Sequence, residues 1–240
     1  MLYRRTVLAV LSLGLGLGLS ASGQSKSAAH PGRVYQVVFL KRNPARTTLS
    51  KEEGERIQAA HMANIHAMAD RGVLVSAGPF DDKPSVISGV FFFNTPTMEE
   101  AKKIAEADPT VVEHRNTVEA FSWHGPAGLG DEYKRLHKEN PATPEDMGVH
   151  PFVILRRAGK ELDKTAMAKH TAYWAGLRAS GKVLAAGAVE GDASAVGLVV
   201  FDRIADAEAA KLAAEDPAVS GGVLTVEAHR WWSAAHVFPK

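Results

Sequence analysis

The 240-residue chain has no cysteine. That absence excludes disulfides, iron–sulfur clusters, thiolate zinc sites and cysteine nucleophiles. Charge of one sign is also missing. Lys and Arg number 28 against 27 Asp and Glu, a formal charge of +1, so nothing draws the whole chain toward nucleic acid or anionic lipid. Beyond the N-terminus there is no apolar run of the roughly 20 residues that a membrane-spanning helix needs. What is there is an ordinary globular mixture, 45% hydrophobic and 23% charged, with a mean hydropathy of −0.11.

The N-terminus differs from the rest. Arg4 and Arg5 precede an apolar, glycine-rich stretch from Thr6 to Leu19, and small residues follow from Ser20 to Gly23. A basic end, a short apolar centre and a small-residue exit read as a secretory signal peptide over 1–23, with Ala29 as a second cleavage candidate. An uncleaved anchor is the alternative, which the short apolar core disfavours. The mature protein is therefore expected in the periplasm or outside the cell, without stable membrane insertion. Residues 24–33 read as a disordered lead-in.

An internal duplication sets the domain plan. His61, Gly72 and Gly78 recur 109 residues later as His170, Gly181 and Gly187. After one loop the spacing becomes 108, linking Gly89, Asp108, Pro109, Glu119 and Trp123 to Gly197, Asp216, Pro217, Glu227 and Trp231. The copies span 34–124 and 150–233. A Gly-, Pro- and charge-rich linker (125–149) with a short helix near Glu132 to Lys138 separates them, and 234–240 form a C-terminal tail.

Within each copy, short β-branched or aromatic runs alternate with two helical patterns. The first runs and helices are Val37 to Leu40 then Lys51 to Arg71, and Phe152 to Leu155 then Asp163 to Ser180, each helix stopped by a glycine. Two further strands follow, then helices from Met98 to Ala107 and Ala207 to Glu215, with Thr97 and Asp206 as expected caps. Thr117 to Trp123 and Leu224 to Trp231 close the copies. The order βαββαβ, twice, is the ferredoxin-like plan of an α+β protein. Each unit's helices cover one sheet face, so the bare faces are expected to pack on each other as an intramolecular barrel, a pseudo-dimer open to further self-association.

The helical phases bring chemistry together. Ile57, His61, Ile65 and Met68 form one inward stripe, and Ala166, His170, Trp174 and Leu177 repeat it. On the second helix, Ala101, Ile104 and Ala105 lead to Asp108, as Ala209, Leu212 and Ala213 lead to Asp216. A carboxylate continuing an apolar stripe is costly unless paired. Each inward histidine is the candidate partner, and a carboxylate that orients an imidazole builds a general acid or base. A buried structural pair gives the same pattern. His61 and His66 face different sides of a helix, so no metal site is expected, and no cofactor is implied.

The strings Ala60-His61-Met62-Ala63, Gly72 through Pro79, and Ala105-Glu106-Ala107-Asp108-Pro109 resemble the YCII-related (YciI-like) domain family. The resemblance implies a dimeric α+β barrel with a His–Asp pair as active site: His61 with Asp108, and His170 with Asp216. At least one such protein is similar to a dehalogenating enzyme acting on a chlorinated aromatic intermediate. The second copy departs where Ala188 stands in place of Pro79. Two functions follow as expectations. One is a metal-independent acid–base enzyme of lyase, isomerase or dehalogenase type on a small organic substrate. The other is a non-catalytic small-molecule binding or sensory module with structural pairs.

Overall fold

The computed structural model describes residues 32–82, 85–160, 163–191 and 194–239, so the expected signal peptide and nearly all of the lead-in lie outside them. The first copy runs β1 (Gly32–Arg42), α1 (Lys51–Asp70), β2 (Leu74–Pro79), β3 (Ile87–Phe93), α2 (Met98–Glu106), α3 (Pro109–Val112) and β4 (Asn116–Pro126). After α4 (Asp131–Glu139) the second copy runs β5 (Gly148–Arg157), α5 (Lys164–Ala179), β6 (Val183–Glu190), β7 (Ala195–Phe201), α6 (Asp206–Ala214), α7 (Pro217–Ser220) and β8 (Leu224–Ser233).

Alternation along the strands explains the layers. In β1, Val37 and Phe39 face an interior shared by both copies, while Val38 and Leu40 face the helices. The aromatic run on β3 divides the same way: Phe92 enters the shared interior and Phe91 and Phe93 lie under the helices. Phe152, Ile154 and Trp231 from the second copy complete that interior. Each fully buried aromatic contributes on the order of 2–3 kcal/mol of apolar transfer.

All eight strands form one antiparallel sheet in the order β2-β3-β1-β4-β6-β7-β5-β8. One seam between the copies is β4 on β6, pairing Ser122 with Glu190 and Trp123 with Val189. The sheet then curls until β8 returns to β2, through the bridge Phe80–Trp231 and a 2.8 Å bond from the Asp81 N–H to the Arg230 carbonyl. The copies thus share edges as well as faces.

Both seams need glycine. A Cβ on Gly78 would fall 1.8 Å from the Trp232 carbonyl oxygen, and one on Gly187 would fall 1.9 Å from that of His124. The recurring glycine is therefore a close-approach point where one copy's second strand meets the other's last.

Several expected boundaries shift. Gly32 and Arg33 already belong to β1, and Gly125, Pro126, Gly148 and Val149 are strand residues. Linker and tail are tied into the barrel: Leu129, Val237 and Phe238 are buried in its core, and the Gly130 N–H bonds the Val237 carbonyl at 2.6 Å. Asp206 opens α6 but does not cap it; Ala205 holds that position without a side-chain bond. Thr97 caps α2 as expected, accepting from the Glu100 N–H. No helix among the described residues is long and apolar enough to cross a membrane.

Candidate functional site

The first helix of each copy and the turn after the second meet over the sheet. Asp108 ends α2 and starts α3. Its side chain accepts from the Thr110 N–H, and Pro109 takes the first helical position, where a missing N–H costs nothing. Asp216 does the same for α7, accepting from the Ala218 N–H at 3.0 Å. The Asp-Pro step thus lies where one helix ends and the next begins, and its carboxylate caps the second.

In the first copy, His61 Nδ1 lies 2.9 and 2.8 Å from the two oxygens of Asp108. Asn64 Nδ2 donates to Oδ2 at 2.9 Å, and the Thr110 N–H and hydroxyl donate to Oδ1 at 2.9 and 2.6 Å. The Asp108 side chain is fully buried and His61 is 14% exposed, its ring stacked on Phe91 at 6.0 Å. Burial pushes the Asp108 carboxyl up. Bonds from His61 and Thr110, the charge of His61 and the bond from Asn64 outweigh it, leaving the group below its ordinary range.

In the second copy, His170 Nδ1 lies 2.7 Å from Asp216 Oδ2, and the Trp174 indole N–H donates to the same oxygen at 3.1 Å. Asp216 is fully buried and His170 is 16% exposed. A carboxylate only accepts, so each histidine donates from Nδ1, and the neutral form of the ring carries its lone pair on Nε2. Neither Nε2 has a partner among the described residues.

The YCII-related domain matches twice, over residues 35–122 and 135–232. The chain belongs to the YCII-related domain family. No curated protein matches it. Among solved structures it is similar to a provisionally assigned chlorite dismutase, at 10% identity and a TM-score of 0.50, covering 84% of this chain and 94% of that one. It also resembles a novel heme-binding protein from Thermus thermophilus, at 14% identity and a TM-score of 0.49, covering 87% and 95%. The first of these likenesses concerns the α+β barrel fold alone. Family membership supports a small-molecule-binding or enzymatic role.

The two YCII-related copies differ in what surrounds the pair. A cavity of about 1270 Å³ lies in the second copy, bordered by His170, Trp174, Arg178, Ala188 and Leu224 among others, and by neither His61 nor Asp108. The departure at Ala188 has not closed the second site; Ala188 is part of its wall. Conversely, Asn64 and Thr110, which brace Asp108, are replaced by Tyr173 and Ala218. Tyr173 bonds the Leu212 carbonyl instead, and Trp174 supplies the extra donor to Asp216.

The sequence pattern left Asn64 and Thr110 unmarked and placed Trp174 only on the apolar stripe, although signals for their bracing role existed. Asn64 is three residues from His61, Trp174 four from His170, and both spacings share a helix face. Among the described residues no three His, Asp or Glu side chains converge as a metal site.

Proposed function

We propose that the protein is an exported acid–base enzyme acting on a small organic substrate, and that its working site is the His170–Asp216 pair. One observation carries this reading: His170 borders the 1270 Å³ cavity while its Nδ1 is held by a fully buried carboxylate, so Nε2 is the ring atom it can offer a ligand. Asp216 fixes the tautomer and stabilises the imidazolium once Nε2 has taken a proton from a substrate C–H or O–H. Returning that proton to another carbon, or to a leaving group, gives isomerase-, lyase- or dehalogenase-type steps. The imidazole itself moves the proton, so the chemistry calls for no metal. The first pair serves the fold: five contacts saturate Asp108, and His61 stacks on Phe91.

The test is a panel of small organic acids, halides and hydroxy compounds, with consumption followed by mass spectrometry. His170→Gln abolishes turnover while the circular dichroism spectrum of the folded protein is kept, whereas His61→Gln, which also takes a donor from a buried carboxylate, leaves turnover. Turnover that survives His170→Gln overturns the assignment. Binding without consumption of any panel member favours the binding-module reading. Export rests on residues 1–23, and mass spectrometry of the extracytoplasmic fraction tests it. A mature N-terminus between Gln24 and His30 is expected, and an intact Met1 in a membrane pellet refutes it.

A further inference from the structure

The wall that α5 turns toward the cavity includes His170, Trp174 and Arg178, spaced by four residues each. Arg178 is half-buried, and its guanidinium has no ion pair or hydrogen bond among the described residues. Burial draws its pKa down with no charged group opposing the shift, yet an arginine keeps its proton in any protein environment. A fixed cation removed from water without a counter-charge is unfavourable, and a ligand anion would relieve it.

The rest of the cavity does not supply that anion. Among its acidic residues, Glu190 is engaged by His124 at 2.9 Å and Asp146 by Arg203 at 3.2 Å. Asp202 accepts the Arg203 N–H. Arg157 and Lys160 also border the cavity, exposed and without an acidic partner among the described residues. Positive charge is therefore in excess around the space. Nor is Arg178 demanded by the shared fold: the equivalent residue of the first copy, 109 positions earlier, is Ala69. The cation occurs where the cavity occurs. Its place in the last turn of α5 suits the helix dipole, but that benefit needs no cavity-facing, half-buried position.

We infer that the cavity takes an organic carboxylate whose acid group docks on Arg178 and whose apolar body lies along Trp174 toward His170. Eight helical residues span about 12 Å, so the ligand is an elongated acid of several carbons, with its far end at Nε2. A guanidinium binds a carboxylate through two parallel N–H···O bonds, which fixes direction as well as affinity. This makes Arg178 the specificity-determining residue of the site proposed above, and the inference rests on that reading only for what happens at His170.

Isothermal titration of the full-length chain with 4-phenylbutanoate and its neutral analogue 4-phenylbutan-1-ol tests it. The acid should bind at least about tenfold tighter than the alcohol. Arg178→Gln should erase the preference without shifting the melting temperature, and Arg178→Lys should keep part of it. His170→Gln should keep all of it, so loss of catalysis and loss of acid recognition are separable results. Equal binding of acid and alcohol, absence of acid binding, or a preference that survives Arg178→Gln overturns the inference.

Discussion

The seam that closes the barrel carries a charged clasp whose contribution depends on pH. His229 on β8 lies between two carboxylates from opposite copies: Nδ1 is 2.9 Å from Asp82 Oδ2 and Nε2 is 2.9 Å from Glu227 Oε1. Asp82, just beyond β2, also accepts the Arg230 N–H at 3.2 Å, and Arg156 bonds Glu227. Burial alone would lower the His229 pKa from 6.5. The hydrogen bonds and charges of Glu227 and Asp82 outweigh it and raise the value. Its bond to His229, against the effect of burial and helped by Arg156, holds Glu227 down to about 2, and Asp82 is also lowered, burial notwithstanding. A raised histidine stabilises fully below its unfolded value of 6.5 and loses that contribution as pH rises through the folded value. The lowered carboxylates stabilise above their unfolded values, 3.8 for Asp82 and 4.5 for Glu227, and lose it as pH falls. The clasp is therefore complete between pH 4.5 and 6.5.

Replacing His229 by Gln removes the charge and at least one of two charge-assisted bonds. The His229 side chain is 6% exposed, but Asp82 and Glu227 are 24% and 35% exposed and each keeps another donor, which limits the cost to about 2 kcal/mol. For a chain of this size that corresponds to a fall in Tm of about 4–8 °C. Thermal unfolding followed by circular dichroism at pH 5.5 and pH 9 checks both magnitude and sign. The gap between wild type and variant should be full at pH 5.5 and less than half as large at pH 9. An equal gap at both pH values, or none at pH 5.5, would refute the titrating clasp.

Three other perturbations probe the β4–β6 seam, the first His–Asp pair and the buried tail. Gly187→Ala places a methyl group against the His124 carbonyl and should open the β4–β6 seam, raising hydrogen exchange at Trp123 and Val189 while exchange in the middle of β1 is unchanged. Asp108→Asn leaves a buried donor set short of its carboxylate and should cost about 2–4 kcal/mol near neutral pH. Because Asp108 is lowered in the folded state, that gap in denaturant stability should close as pH falls below 3.8. Phe238→Ala removes a buried ring from the barrel core and should cost about 3 kcal/mol or more by urea unfolding, whereas a free tail would show no change.

The duplication, the strand alternation and the helical phase of four residues are properties of short stretches, and the sequence displays them directly. They suffice for the βαββαβ order and for placing His61 near Asp108 and His170 near Asp216. What they omit depends on contacts between distant segments. Gly78 and Gly187 recur visibly, but their purpose appears only when the carbonyls of Trp232 and His124 arrive against them. Linker and tail look like punctuation because their few apolar residues, Leu129, Val237 and Phe238, have no periodicity; contacts with distant strands bury them in the barrel core. The cavity is a void left by both α5 and β6, so no local pattern announces it. Arg178, on the stripe of Trp174, reads by itself as one more exposed charge.

His170, unlike His61, is proposed to meet the ligand, and nitrogen-15 NMR of the histidine side chains during titration with 4-phenylbutanoate separates the two. The His170 Nε2 resonance should move with occupancy while both nitrogens of His61 stay in place. Movement of His61 to the same extent, or no movement of His170 at saturation, would contradict it.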